Sequence, residues 1–372
     1  MSLEHLYVHV PFCARRCVYC DFSIAVRATV PVDDYLAAVE GELAARHGAT
    51  SFLLKTLYFG GGTPSKLGAD GVARLVDVIR RRGVLAAAAE VTLEANPEDV
   101  TIAAASAWRE AGVNRVSLGV QSFDDAVLLW MHRTHDAAMA TRAIETLRAA
   151  GITNVSIDLI FATPAGVARE WRRDLDAALA LDTPHLSVYG LTIEPRTPLG
   201  RWIARRDARE AEEDVFAAEF LAAHNALTQR GYGHYEVSNY SRAGHESRHN
   251  RAYWMRYPYA GIGPSAHEFD GVRRRWNFDA YVAWQVAAAA AGSDPVEGAE
   301  ELGAGHVTAE EVYLGLRTDL GVRLVPAEAS LVAPWVDAGW ARVENEVLQL
   351  SASGWLRLDS LAAALTHVRS RY

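Results

Sequence analysis

Short apolar runs rich in β-forming residues alternate with longer, alanine-rich helical stretches through the first half of the chain. This alternation between a strand period and a helix period is typical of parallel βα units, so we predict the α/β fold class. The predicted strands cover 6–10, 56–60, 90–95, 115–120, 154–160 and 185–191. The predicted helices between them cover 32–46, 69–81, 102–111, 136–150 and 169–181.

Six βα repeats predict a partial (β/α)6 barrel, open on one side, whose chemistry gathers at the carboxyl ends of the strands. Two of the helices end in Ala-Gly, at Gly112 and Gly151, and glycine is a common helix C-cap. Several strands read as continuous apolar runs, as expected where helices cover a sheet. We interpret the alanine runs at 86–89 and 287–291 as helix surface.

The later part of the chain leaves the βα period. We predict a barrel core at 1–205, a barrel extension at 206–298 and a small C-terminal domain at 299–372. The extension is predicted to begin with a long helix at 208–229. The polar stretch 295–304 is predicted to be a linker.

The C-terminal domain combines helices with a short hairpin. Helices are predicted at 308–317 and 326–338, followed by strands at 339–343 and 347–350 around Asn345. A final helix is predicted within 351–372. This order of elements is typical of a winged-helix-like domain, although here the domain lacks a basic face, which favours a lid or docking role.

Charge and composition exclude several classes of partner. The chain has 372 residues and a formal net charge of −9, and its arginines are scattered, so nucleic acid is not an expected partner. No apolar run approaches the ~20 residues of a membrane helix. The first residues lack the basic and apolar pattern of a signal peptide. We therefore expect a cytoplasmic protein.

The chemistry of the chain centres on its three cysteines, Cys13, Cys17 and Cys20, in the spacing C-x3-C-x2-C. A 4Fe–4S cluster normally takes four thiolates, so three ligands leave one iron open to a substrate or cofactor. An odd number of cysteines at this spacing does not suit a disulfide framework. A zinc site completed by His9 is the alternative from the residues alone.

Polar residues follow the other predicted strands at the same edge of the barrel. A Gly-Gly-Gly-Thr-Pro turn follows the second strand, and three glycines leave backbone amides and carbonyls open to a ligand. Glu94 ends the third strand, Gln121 the fourth, and Asp158 lies on the fifth. Each of these features alone is often structural, but their repetition opposite the cysteine loop predicts a binding site.

Together these motifs resemble the radical S-adenosylmethionine (SAM) family that contains oxygen-independent coproporphyrinogen III dehydrogenase and the HemW-type haem chaperones. The resemblance rests on Tyr7-x-His9-x-Pro11-Phe12-Cys13, Gly60–Pro64, Glu94, Gly119–Ser122, Arg133 and Ile157–Ile160. It implies that Cys13, Cys17 and Cys20 bind a 4Fe–4S cluster whose open iron is chelated by SAM.

The resemblance also implies roles for individual SAM-binding residues. Tyr7 would bond the region of the SAM carboxylate, and Tyr19 would lie against the adenine. Gly61, Gly62 and Thr63 would hold the methionine amino group. The methionine carboxylate and the ribose would be contacted by Glu94, Gln121, Arg133 and Asp158. These residue types suit their roles, since carboxylates pair with ammonium groups and arginine pairs with carboxylates.

A second informative stretch follows the barrel. His249-Asn250-Arg-Ala-Tyr253-Trp254 matches the H-N-x-x-Y-W pattern of the HemW-type chaperones. Histidine can supply an axial ligand and aromatic side chains can wall a planar macrocycle, so these residues are predicted to bind haem. Equally, His249 could form hydrogen bonds in a loop packed over the barrel mouth. His245 and His267 are the next candidate ligands.

Within this family the sequence favours the haem chaperone over the enzyme. The dehydrogenases carry a further cysteine at the position of Phe22, and a long wrapping segment where this chain has about twelve residues before Cys13. We therefore doubt coproporphyrinogen oxidation, while a related radical SAM methyltransferase remains an alternative. The expected partners are haem, an acceptor protein that could be membrane-associated, and an electron donor if SAM is cleaved.

Overall fold

The computed structural model describes residues 3–48, 52–290 and 292–370. The six predicted strands are confirmed, and they pair in parallel in chain order. Their bounds are His5–Val10 (β1), Phe52–Gly61 (β2), Gly83–Ala95 (β3), Arg115–Gln121 (β4), Asn154–Phe161 (β5) and His185–Gly190 (β6).

The predicted helices are also present, and each lies between successive strands in the chain. They are Val32–His47 (α1), Gly68–Arg80 (α2), Ile102–Ala111 (α3), Asp125–Trp130 (α4), Ala137–Ala149 (α5) and Trp171–Ala180 (α6). α4 was not predicted. Gly112 closes α3 in the left-handed conformation, at φ 108°, and its N–H bonds the carbonyls of the last turn.

Strand β1 shows how the barrel interior becomes polar. Leu6, Val8 and Val10 point outward and are fully buried under helices. The alternate residues His5, Tyr7 and His9 therefore face the barrel interior. The interior face of β1 is thus polar along its whole length, and β1 is not the continuous apolar run expected of a covered strand.

The extension lengthens the barrel sheet at both edges. At one edge Ala260–Ile262 (β9) pairs in parallel with β1. At the other edge Asn239–Ser241 (β8) and Gly233–Glu236 (β7) add two antiparallel strands. The remaining helices of this region are Pro198–Ala204 (α7), Glu213–Gln229 (α8), Arg248–Trp254 (α9) and Tyr281–Ala289 (α10).

The long helix predicted at 208–229 is present and ends at Gln229, but it begins at Glu213. The linker prediction in this region is wrong. The predicted linker 295–304 contains a strand, Val296–Glu301 (β12), in a sheet with Arg273–Asn277 (β11) and His267–Phe269 (β10). Its glutamates face the arginines of β11, with Arg274 opposite Glu300, so a polar sequence is stable there as a strand.

The alanine run at 86–89 lies in β3 and not on a helix. It falls at a shift in register, and the stretches of β3 on either side of it pair with β2 and keep it extended. Of the second run, residues up to 289 end α10 as predicted, and residue 291 lies outside the described residues.

A buried ion-pair network fastens the extension to the barrel. Arg46 of α1 pairs with Glu42 at 2.9 Å and donates to the Gly261 carbonyl at 2.8 Å. Glu42 also accepts hydrogen bonds from the Gly263 N–H and the Trp284 indole, at 2.9 and 2.7 Å. Removing either charge would leave the other buried and unpaired, so this network fixes β9 beside β1.

The C-terminal domain agrees with the winged-helix-like prediction. Its sheet contains Val322–Arg323 (β13), Ala341–Glu344 (β14) and Val347–Leu350 (β15), with the predicted hairpin turning at Asn345. Its helices are Ala304–Leu316 (α11), Ala329–Asp337 (α12), Ala352–Trp355 (α13) and Leu358–Arg369 (α14). The domain boundaries after residues 205 and 298 remain predictions from the sequence. In the part of the chain that the structure describes, no helix has the length and hydrophobicity to cross a membrane.

Candidate functional site

The cysteine loop follows β1 and is held from two sides. Val18, fully buried, donates its N–H to the Met131 carbonyl and accepts from the N–H of Leu199 at the start of α7. The Arg27 N–H bonds the Cys13 carbonyl at 3.1 Å, which closes the loop. These backbone contacts present the three half-buried, unbridged thiols to the carboxyl end of the barrel.

The loop covers a cavity of about 460 Å³ at the barrel mouth, the cofactor cavity. Its size is that of an ordinary small-molecule site. Of the residues predicted to hold the cluster and SAM, all but Tyr7 line this cavity. They are Cys13, Cys17, Cys20, Tyr19, Gly61, Gly62, Thr63, Glu94, Gln121, Arg133 and Asp158.

The turn after β2 has to consist of glycines because it lies very close to β1 and the cysteine loop. A Cβ on Gly61, whose φ is 117°, would lie 2.7 Å from the His9 ring. A Cβ on Gly62 would lie 2.6 Å from the Pro11 carbonyl oxygen and 3.0 Å from the Cys13 Sγ. Only glycine therefore lets this turn approach the cysteine loop, and its backbone polar groups remain open to a ligand.

Two partly buried carboxyls line the cofactor cavity. Glu94 accepts hydrogen bonds from the Tyr58 hydroxyl at 2.7 Å and the Gly61 N–H at 3.1 Å. Asp158 accepts from Ser117 at 3.0 Å. Burial raises the pKa of Glu94 to about 7 and that of Asp158 to about 6. A bound cation would favour their ionised forms.

We expect SAM, which carries a positive sulfonium group, to bind roughly tenfold more weakly at pH 5.5 than at pH 7.5. Both carboxyls hold protons more tightly in the folded chain, so stability of the cofactor-free protein falls as pH rises through their raised pKa values of about 6 and 7. The affinity for SAM should increase over the same pH range, because the carboxylates become ionised. Calorimetric titration at the two pH values measures it, and Glu94→Gln should reduce the difference. Equal affinity at both would contradict the assignment.

Arg133 is the fixed cation of the cavity. Its Nη2 donates to the Asn96 Oδ1 and to the Gly119 carbonyl, both at 2.7 Å. Its Nη1 lies 3.7 Å from the Cys17 Sγ. The buried Nε has no hydrogen-bond partner among the described residues. This arrangement suits a guanidinium that positions the loop and retains hydrogen-bonding capacity for an anionic ligand group.

The surroundings of His9 do not favour it as the fourth ligand of a zinc site. Burial raises the pKa of Cys13, and that of Cys20 to about 11, so both thiols would release protons on binding a metal. His9 uses both ring nitrogens elsewhere, with the Tyr7 hydroxyl at 3.1 Å and the Ser23 carbonyl at 2.9 Å. Within the described ranges, no three His, Cys, Asp or Glu side chains are already converged for a metal ion.

Several further residues of the cavity were missed from the sequence. Tyr189, Ile160, Ser117 and Glu98 line it together with the predicted set. Tyr189 sits at the end of β6, so its position at a strand end was the available signal. Ile160 ends the Ile157–Ile160 motif quoted for the resemblance, but its apolar side chain on a buried strand did not indicate a place in the cavity.

Tyr7 lines a second cavity of about 490 Å³ beside the first, between the barrel mouth and the extension. This second cavity shares Asp21, Phe22, Gly61 and Glu94 with the cofactor cavity. Tyr253 of the predicted haem segment also lines it. The segment therefore approaches the cofactor site through this neighbouring space.

The other predicted haem residues lie on α9 in different surroundings. His249 is 1% exposed, and the N–H groups of Arg248 and His249 both bond the Glu90 carboxylate at 3.1 Å. Asn250 is half-buried on the same helix. Trp254 lines a third cavity of about 220 Å³ and lies against the Arg317 guanidinium. α9 thus fills the barrel interior and does not form the loop over the mouth that the sequence suggested.

Comparisons with known proteins bear on the family and the fold of the chain. The Radical SAM superfamily matches residues 7–178, from Tyr7 to the last turn of α6. Heme chaperone HemW of Mycobacterium tuberculosis is 37% identical over 369 residues, which cover 97% of this chain and 94% of that protein. Heme chaperone HemW of Bacillus subtilis is 34% identical over 326 residues, covering 86% and 85%.

Among solved structures, coproporphyrinogen III oxidase (HemN) from Escherichia coli, a radical SAM enzyme, is similar at a TM-score of 0.82. The match covers 98% of this chain and 90% of that chain at 22% identity, and so concerns the fold alone. The cysteine loop, the barrel and the relatives matched along almost their whole length agree. The chain belongs to the HemW family of the radical SAM superfamily.

Proposed function

We propose that this protein is a haem chaperone that carries a 4Fe–4S cluster and SAM, binds haem, and delivers it to an acceptor protein. The observation that carries the proposal is the pair of adjoining cavities at the barrel mouth. One has the thiols and polar groups for cluster and SAM, and the other is an aromatic-walled space of about 490 Å³ that adjoins it. The HemW relatives, which are named haem chaperones, support it.

The cluster would be held by Cys13, Cys17 and Cys20. Three soft thiolates leave one iron for SAM, and the reduced cluster supplies the electron for any SAM cleavage. The residues that would bind SAM are the cavity-lining Tyr19, Gly61, Gly62, Thr63, Glu94, Gln121, Arg133 and Asp158. Tyr7 would support the SAM site indirectly. Its hydroxyl bonds His9, and the His9 ring packs against Gly61.

Phe22 is the feature that separates this proposal from an oxidase function. It lies two residues after Cys20, is 64% exposed and lines both cavities. The apolar side chain of Phe22 offers a macrocycle a contact surface between the two cavities. Unlike a cysteine at this position, phenylalanine would not ligate iron. The partners that follow are haem, an acceptor, which could be membrane-associated, and an electron donor if SAM is cleaved, in a cytoplasmic setting.

Haem titration of the anaerobically reconstituted protein tests the proposal. We expect saturable binding of about one haem per chain, followed by the optical spectrum of the ligated iron. Cluster-free Cys17→Ser protein, titrated in parallel, reports whether the haem site needs the cluster. Absence of saturable haem binding to the cluster-loaded wild type would contradict the proposal.

A further inference from the structure

His249 is poorly placed to ligate haem iron directly. Its Nδ1 bonds the Thr56 hydroxyl at 2.7 Å, and its Nε2 bonds the Tyr253 hydroxyl at 2.9 Å. The ring is also stacked on Tyr58, with centroids 5.2 Å apart. Ligation would break a hydrogen bond and leave a buried polar partner unsatisfied.

The depth of His249 in the barrel is a second reason why it is poorly placed to ligate haem iron. Thr56 pairs with His5 at the start of β1, whereas Gly61 pairs with Val10 at its end. Five strand residues span about 16 Å, so the row that holds His249 lies well below the cysteine loop. A side chain at that depth supports the barrel interior, and the ligand for haem has to be sought nearer the mouth.

The second cavity contains a different imidazole. His267 of β10 lines it, is exposed, and forms no hydrogen bond through either ring nitrogen among residues 3–48, 52–290 and 292–370. The other histidine of this cavity, His9, has both ring nitrogens engaged.

Packing holds the His267 ring in place. The ring stacks on Trp276 of β11, with centroids 5.9 Å apart and planes 28° apart. Trp276 in turn lies on Gly298 of β12, where a Cβ would come within 2.4 Å of the indole. The three strands of this small sheet therefore present the imidazole from a supported position at the cavity wall.

The rest of the cavity suits a flat tetrapyrrole. Tyr253 and Tyr259 meet edge to face, with centroids 4.5 Å apart, and both line it. Arg196 lines it without an ion-pair partner in the described part of the chain and can meet a propionate. Asp21 and Asp279 also line it, and because they would repel a propionate, Arg196 is the favourable contact for that group.

We propose that haem occupies the second cavity, with His267 as the axial ligand and Arg196 contacting a propionate. This inference rests on the proposed haem-chaperone function. The third cavity, which Tyr253 and Tyr259 also line, is about 220 Å³ and lies below the usual size of a small-molecule site. Its two arginines, Arg256 and Arg274, already pair with Glu310.

Optical and electron-paramagnetic-resonance titrations with haem test the assignment in the wild type, His267→Ala, His249→Ala and His245→Ala. We expect His267→Ala to lose the imidazole-ligated spectrum and at least tenfold in affinity, and added free imidazole to restore the spectrum. His267→Met should give a thioether-ligated iron of higher reduction potential. His245, half-buried and outside the second cavity, is the matched control and should behave as the wild type.

The possible failures are distinguishable. If the wild type binds haem and His267→Ala keeps its spectrum and affinity, the assignment of His267 is wrong while the chaperone proposal stands. Loss of the signature in a folded His249→Ala alone would make His249 the ligand and likewise overturn the inference. If the wild type binds no haem, both the inference and the proposed function fail.

Discussion

Cys17→Ser is expected to remove the iron–sulfur cluster. A serine hydroxyl is a much poorer ligand for iron than a thiolate, and the protein's three cysteines provide no replacement. Iron and sulfide analysis of anaerobically reconstituted protein should fall from about four of each per chain to near zero. The broad iron–sulfur absorbance should disappear with it.

Ala14→Ser is the matched control for this experiment. Ala14 is exposed in the same loop, so the substitution adds the same hydroxyl without removing a thiol. It should keep the wild-type iron and sulfide content. A full cluster in Cys17→Ser, or stoichiometric zinc without iron–sulfur absorbance in the wild type, would show that the cluster assignment is wrong.

Arg133→Ala is expected to weaken SAM binding by about 1.5–3 kcal/mol, roughly 10- to 150-fold. The substitution removes a charge-assisted donor and releases Asn96 and the Gly119 carbonyl, which the guanidinium now bridges. The SAM affinity of Arg133→Lys should lie between those of the wild type and Arg133→Ala, because lysine keeps the charge and loses the planar guanidinium. Calorimetric titration of reconstituted protein measures the change.

Arg109→Ala supplies the comparison for Arg133→Ala. Arg109 is exposed near the end of α3, at the opposite end of the barrel from the cofactor cavity. Its removal should leave SAM affinity unchanged. Wild-type affinity in Arg133→Ala, in protein that retains its cluster and its circular dichroism spectrum, would mean that Arg133 does not hold SAM.

Local chemistry made much of this site predictable. In parallel βα units the carboxyl ends of all strands meet at one edge, so the strand pattern alone was enough to place Glu94, Gln121 and Asp158 together beside the cysteine loop. The glycine turn was recognisable because consecutive glycines let a ligand approach the backbone closely. Arg133 came from resemblance alone, since nothing in its sequence surroundings predicts that Asn96 orients it.

What the sequence could not predict depends on contacts between distant segments. β9 has three residues and becomes a strand because it pairs with β1, more than 250 positions earlier. His249 carries a binding motif in sequence, yet Thr56 and Tyr253 satisfy its ring in the folded chain. The polar β12 is a strand because arginines of β11 lie opposite its glutamates. No local propensity records such pairings.

Turnover of coproporphyrinogen III tests the account most directly. Reconstituted protein, SAM, a one-electron donor and coproporphyrinogen III are incubated anaerobically, and the porphyrins are separated after reoxidation. We predict that no protoporphyrin forms while the same preparation binds about one haem per chain. SAM-dependent formation of protoporphyrinogen IX would contradict the chaperone account and identify the protein as an oxidative decarboxylase.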